Sequence, residues 1–194
     1  MTRPRSHRGN EVDRSHRGDE VEFGICILAG GLSRRMGRDK ASIRIGGVTL
    51  LQRVRKTAAE LRLPTRIIRR DLVPRCGPLG GIYTGLITSR AAAELFLACD
   101  MPFIEAQFLR KLIDRFRKTA RPVFTRLNGV AGFPLLVPKS QSATVLQHIE
   151  AQELSIQGLA SAPRAVFINV KSADANRFRN LNSPRDLKLA QQAA

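Results

Sequence analysis

The sequence predicts an α/β fold: one Rossmann-like, doubly wound domain with a mostly parallel central sheet and an added antiparallel hairpin in its carboxyl-terminal half. Three observations predict it. Two nearly unbroken apolar runs, Phe23-Gly24-Ile25-Cys26-Ile27-Leu28 and Glu94-Leu95-Phe96-Leu97-Ala98-Cys99, read as strands buried on both faces, as in a parallel sheet. Segments with apolar residues at helical spacing follow each run, and β-α-β-α alternation implies right-handed crossovers. Further on, Asn128-Gly129 stands between two apolar segments, which signals a hairpin.

Taken in order, the chain begins with a tandem repeat, RSHRGNEVD from Arg5 to Asp13 and RSHRGDEVE from Arg14 to Glu22. The repeat is polar and lacks core residues, so its burial does not offset the entropy of ordering it. Residues 1–21 are expected to be a disordered tail and residues 22–194 the folded domain. After the first strand and a basic loop, Leu50, Leu51, Val54, Ala58 and Leu61 mark an amphipathic helix. Thr65 to Arg70 reads as a short strand, Arg75-Cys76-Gly77-Pro78-Leu79-Gly80-Gly81 as a loop, and about Ile82 to Arg90 as a helix. The second buried strand ends at Asp100-Met101-Pro102, and Phe108, Leu109, Leu112, Ile113 and Phe116 trace the next helix. Pro122–Arg126 and Val130–Val137 form the hairpin, followed by a helix over Thr144–Glu150 and a strand over Ala165–Val170. Ser183-Pro184-Arg185-Asp186 combines an N-cap serine, a proline in the first turn and an acidic residue at the third position, the start of a final helix. The carboxyl half is thus expected to add antiparallel strands and a helix to the sheet.

Composition narrows the class. With 194 residues the chain suits one well-buried domain, and 43% hydrophobic with 25% charged residues is ordinary for a globular protein. No apolar run approaches the roughly 18 residues that span a bilayer, and the polar start has no signal-peptide core, so the expected location is cytoplasmic, without a membrane partner. Cys26, Cys76 and Cys99 form no C-x-x-C pair, which suggests neither a zinc site nor a disulfide framework. The formal charge of +17 attracts polyanions: nucleic acid, or a small phosphorylated substrate. One Tyr, no Trp and no interleaving of basic with aromatic residues argue against a nucleic-acid module.

Two segments concentrate chemistry at the carboxyl ends of strands, where open α/β sheets bind ligands. Leu28-Ala29-Gly30-Gly31-Leu32-Ser33-Arg34-Arg35-Met36-Gly37-Arg38-Asp39-Lys40 leaves a buried strand through two glycines, then places Arg34, Arg35, Arg38 and Lys40 within reach of one another. Glycines let backbone N–H groups approach a ligand, and spread cations suit a triphosphate. The second segment is Cys99-Asp100-Met101-Pro102, where a carboxylate follows a buried strand. Mg²⁺ takes one or two such carboxylates and completes its octahedron with substrate phosphates and water. His148, the one histidine beyond the tail, falls in an expected helix at the surface and offers no nucleophile–base pair.

These residues resemble the signatures of the molybdenum cofactor guanylyltransferases, which have a nucleotide-diphospho-sugar transferase-like fold. The resemblance is carried by Leu28-Ala29-Gly30-Gly31-x-Ser33-x-Arg35-Met36-Gly37-x-Asp39-Lys40, by Asp71-x-x-Pro74-x-x-Gly77-Pro78-Leu79-Gly80-Gly81, by Cys99-Asp100-Met101-Pro102-Phe103, and by Asn180-Leu181-Asn182-Ser183-Pro184-x-Asp186-Leu187. It covers residues 23 to about 188. It implies Mg²⁺-dependent transfer of GMP from GTP to molybdopterin, with or without bound molybdenum, and release of pyrophosphate. By the same resemblance Leu28, Ala29, Gly30 and Gly31 meet the nucleotide, Arg35 and Lys40 hold its phosphates, Asp71 binds nucleotide and Asp100 ligates the metal. Arg35, Lys40 and Asp100 are then the catalytic set, while Gly77, Pro78, Gly80, Asn180 and Asn182 face the acceptor. Implied partners are GTP, molybdopterin, other proteins of molybdenum cofactor biosynthesis and molybdoenzyme chaperones. The family also has a strand between the first helix and the strand ending near Asp71, with an Asn that helps read the base; here Leu61 runs almost directly into Pro64-Thr65, so that strand is expected to be absent.

A phosphate monoester with a second pKa of about 6 is largely dianionic at neutral pH and attacks phosphorus without a dedicated base. Positioning and charge neutralisation are then the whole task. On the residues alone, other readings stay open: a nucleotidyltransferase using CTP or a sugar phosphate, an inactive nucleotide-binding homologue, or a basic nucleic-acid-binding module.

Overall fold

A computed structural model describes residues 21–30 and 40–192. Of the tail expected over residues 1–21, all but Val21 lies outside the described residues, as do the loop positions Gly31, Arg34, Arg35 and Arg38.

Strand β1 (Val21–Leu28) opens at the last residue assigned to the tail, and its Phe23, Ile25 and Ile27 are buried. Burial of each such side chain contributes roughly 1.5–3 kcal/mol. A small hairpin follows, β2 (Arg44–Ile45) and β3 (Val48–Thr49), which the sequence reading did not anticipate. Helix α1 (Leu50–Ala59) starts with a reciprocal cap: Gln52 N–H donates to Thr49 Oγ1 at 3.1 Å, and Thr49 N–H donates to Gln52 Oε1 at 2.9 Å. Its buried face is Leu50, Leu51, Val54 and Ala58, as the spacing predicts.

One strand, β4 (Thr65–Ile68), lies between α1 and Asp71, in keeping with the short interval there. Helix α2 (Gly77–Ile87) begins about five residues earlier than predicted. The Gly-Pro-Leu-Gly-Gly stretch expected as a loop is its first turn, because Pro78 occupies an opening position whose N–H would go unpaired in any case. Strand β5 (Ala91–Ala98) and helix α3 (Ala106–Thr119) match the predicted pair, the strand starting three residues sooner. The hairpin forms from β6 (Val123–Leu127) and β7 (Val130–Pro138), with Asn128 and Gly129 at φ 50° and 81°, the left-handed pair its tight turn requires. Helices α4 (Ser142–Glu150) and α5 (Ile156–Leu159), strand β8 (Val166–Asn169) and helix α6 (Pro184–Gln192) complete the chain.

The strands join in the order β4-β1-β5-β7-β6-β8. Within that sheet only β7 runs against its neighbours; β8 pairs with β6 in parallel, Val123 opposite Val166. This corrects the expectation of antiparallel strands throughout the carboxyl half. The crossover through α4 and α5 returns the chain to the starting end of the sheet, so the last strand points the same way as β6. Helices α1 and α3 cover one face through Val54, Leu109 and Leu112, and α2, α4 and α5 cover the other through Leu79, Ile82 and Val145. The fold is therefore doubly wound, as predicted.

Among the described residues one charged group, Glu94, is fully buried in this core. Glu94, only 1% exposed in the middle of β5, accepts from Arg66 Nη2 at 2.9 Å and from the Ser89 hydroxyl. All three cysteines are buried thiols outside any disulfide. The Cys26 thiol is pushed well up by burial and then by the neighbouring Glu94 carboxylate, so it stays protonated and inert.

Candidate active site

The carboxyl ends of β4, β1 and β5 stand level with one another. Ala29 N–H donates to Ile68 C=O at 2.8 Å, and Cys99 N–H donates to Leu28 C=O at 3.1 Å. The residues that follow these strands therefore share one edge of the sheet: Asp71 beyond β4, Ala29-Gly30 beyond β1 and Asp100 beyond β5. Gly30 is required by close approach, since a Cβ there would stand 2.8 Å from the Arg69 carbonyl oxygen.

A cleft of about 630 Å³ opens along this edge. Leu28, Gly30, Lys40, Asp71, Gly77, Pro78, Asp100 and Asn180 line it, which brings together most of the residues singled out in the sequence. Ala29 and Gly80 stand behind the lining and are buried. Gly80 supplies room: a Cβ there would lie 2.8 Å from the Val73 carbonyl oxygen and 2.9 Å from Asp71 Oδ2. His148, expected at the surface, is half-buried on α4 beside Glu153 and has no place in the cleft lining. Arg75, Cys99 and Phe133 also line the cleft and were not singled out. An arginine two residues before a Gly-Pro helix start was the available signal for the first of them.

The electrostatic centre is Lys40, carried on a short 3₁₀ turn (Lys40–Ser42). Its Nζ donates to Asp100 Oδ2 at 2.9 Å and to Asn182 Oδ1. Lys40 and Asp100 are 23% and 14% exposed, sheltered enough that the pair is screened less than a surface one. The carboxyl-terminal segment is pinned here: Leu181 N–H donates to Asp100 C=O at 2.9 Å. Asp186 Oδ2 accepts from Asn182 N–H at 3.2 Å, Ser183 N–H at 3.0 Å and Ser183 Oγ at 2.7 Å. The Ser183 hydroxyl hydrogen bond, the Asn182 and Ser183 amides and Arg179 together hold the Asp186 carboxyl below its usual range. Asp71 behaves in the opposite sense: burial alone raises its carboxyl above the usual value.

The other oxygen of Asp100, Oδ1, is buried and has no hydrogen-bond partner among the described residues. A buried carboxylate oxygen left without a donor is what a cation-binding position looks like before the cation arrives. No group of three or more His, Cys, Asp or Glu gathers among the described residues, and Asp100 is a carboxylate of the cleft lining. That donor set fits Mg²⁺, which draws its remaining oxygens from phosphates and water.

A cleft along the strand ends with a lysine–carboxylate pair at its centre is the arrangement that suits a nucleotidyltransferase. The fold is shared with molybdopterin-guanine dinucleotide biosynthesis protein A from Archaeoglobus fulgidus, with a TM-score of 0.70 at 20% identity over 88% of this chain and 97% of that one. The sequence profile of the MobA-like NTP transferase domain matches residues 25–166, and the chain belongs to that family. Among its relatives, the probable molybdenum cofactor guanylyltransferase of Opitutus terrae is 32% identical over 185 residues, covering 82% of this chain and 90% of that protein. The molybdenum cofactor guanylyltransferase of Pseudomonas syringae is 30% identical over 180 residues, covering 82% and 89%.

Proposed function

We propose that this protein transfers GMP from GTP to molybdopterin and releases pyrophosphate, with Lys40, Asp100 and Arg35 as the catalytic set and Mg²⁺ at Asp100. The observation that carries the reading is the convergence of Gly30, Lys40 and Asp100 on one cleft. The relatives at 30% and 32% identity bear the matching name.

When bound, Mg²⁺ supplies charge neutralisation to the phosphates and the departing pyrophosphate. The chain's own residues do the rest. Backbone at Leu28, Ala29, Gly30 and Gly31 receives the nucleotide, with Asp71 beside it. Lys40 offers its ammonium to the phosphates, and Asn182 keeps that ammonium aimed into the cleft. Gly77, Pro78 and Asn180, which line the cleft, face the acceptor, with Asn182 and Gly80 in support. The acceptor phosphate attacks the α-phosphorus as a dianion, so no general base is required.

Among the described residues no helix is long and apolar enough to cross a membrane, which suits a cytoplasmic reaction. Partner proteins that deliver molybdopterin and receive the product belong to the same reading. The test is pyrophosphate release from GTP in Mg²⁺, with and without molybdopterin, and with CTP as competitor. Release that requires both GTP and molybdopterin is expected; release with CTP alone, or none with either, overturns the proposal.

A further inference from the structure

We propose that Arg75 reads the base of the nucleotide, its guanidinium donating two parallel N–H bonds to the O6 and N7 acceptors of guanine. The inference rests on the reading above, in which Lys40 and Asp100 define the phosphate end of the cleft.

Arg75 lies at the other end. It follows β4 and Asp71, whereas Asp100 follows β5, with β1 between them. Neighbouring strands are about 4.8 Å apart, so roughly 10 Å separates the two ends of the cleft edge. A nucleotide held by its phosphates at Lys40 lays its base towards Arg75, against the walls made by Leu28, Ile68 and Gly81.

Three further observations point to Arg75 as a ligand contact. It lines the cleft, yet has no hydrogen bond or ion pair among the described residues. It does not neutralise Asp71, whose carboxyl is shifted by burial alone. And its backbone sits at φ 63°, the left-handed region that suits glycine rather than a long side chain. Strained residues of this kind persist at ligand clamps, where the ligand supplies the missing contact.

The chemistry selects guanine. Arginine presents five N–H donors in a planar fork and no acceptor. Guanine places two acceptors, O6 and N7, side by side, whereas adenine has an amino donor beside N7 and cytosine an amino donor at N4. The fork therefore attracts the first base and meets a donor on the other two.

The experiment is equilibrium binding of GTP, ATP and 7-deaza-GTP to the full chain and to its Arg75→Gly and Arg75→Lys variants. The full chain is expected to prefer GTP over ATP, and Arg75→Gly to shrink that preference roughly 5- to 100-fold. Loss of N7 should weaken binding to the parent and leave Arg75→Gly indifferent. Arg75→Gly should melt no lower than the parent, because glycine accepts the positive φ. Arg75→Lys keeps the charge without the fork and should discriminate as poorly as the glycine variant. An unchanged GTP/ATP ratio in Arg75→Gly, with or without a raised KM for the acceptor, overturns the inference, and so does full discrimination by Arg75→Lys. A parent chain with no preference for GTP counts against the guanylyl-transfer reading itself, a separate outcome.

Discussion

Lys40 Nζ rests 2.9 Å from Asp100 Oδ2, joining the loop after the first strand to the end of β5 across 60 residues of chain. The contact leaves the second Asp100 oxygen, Oδ1, buried and without a hydrogen-bond partner among the described residues.

Asp100→Ala is expected to lower kcat about 100-fold or more, the range for losing one transition-state electrostatic contact, while the circular dichroism spectrum stays that of the parent. Lys40→Ala should instead weaken GTP binding by about tenfold or more, since a charge-assisted hydrogen bond to phosphate is worth roughly 1.5–3 kcal/mol. Isothermal titration with GTP and Mg²⁺ separates the two. Full turnover by Asp100→Ala removes the metal assignment.

Asp186 is not among the residues that line the cleft, yet it should matter to turnover. Its carboxylate holds Asn182 and Ser183 in place, and Asn182 in turn orients Lys40. Asp186→Ala should destabilise α6 by about 1 kcal/mol, the usual value of a lost helix cap, and raise the KM for GTP. Because the folded carboxyl is held below its usual range, this support is complete above the ordinary carboxylate range and is lost as pH falls through the lowered value. Thermal melts of parent and variant should therefore converge at acid pH.

Asp71 carries the reverse dependence. Burial raises its carboxyl above the ordinary 3.8, so the ionised form costs stability at neutral pH and the cost disappears below that value. Asp71→Asn should melt above the parent at pH 7, and the difference should vanish as the pH drops towards 3.8. A variant that melts lower at pH 7 would show that Asp71 has a stabilising partner.

Gly85 lies on α2 where the helix crosses β5. A Cβ there would stand 2.5 Å from Phe96 Cε1 and 3.1 Å from Cys26 Sγ, both buried and without room to retreat. Gly85→Ala should cost about 1–3 kcal/mol through overpacking, a fall of roughly 2–10 °C in Tm, with the GTP KM unchanged.

Much of this architecture could be read in the residues. Phe23 to Leu28 announced a buried parallel strand because continuous burial leaves no polar alternation, and Asn128-Gly129 announced the hairpin because few residues tolerate two left-handed positions. The cleft was legible where chemistry follows a strand end, as at Gly30 and Asp100. Other features depend on contacts distant in sequence. Nothing in Val166–Asn169 specifies whether β8 runs with or against β6; the crossover through α4 and α5 decides it. Glu94 looked like an ordinary opening of an apolar run, and only Arg66 and Ser89 explain its burial. The first turn of α2 was read as a loop because glycines at Gly77, Gly80 and Gly81 outweighed the proline that starts it. The Arg75 position before Gly77-Pro78 is visible in the sequence, but its positive φ has no signature in composition.

The hydrogen bond from Lys40 to Asn182 spans 142 positions of chain. During synthesis the three parallel strands can assemble while the carboxyl end is still inside the ribosome, but the lysine acquires its second partner only when that end emerges. A product cut short before residue 182 would lack the Asn182 acceptor of that ammonium. The second partner of Lys40 is therefore supplied by the last part of the chain to be made.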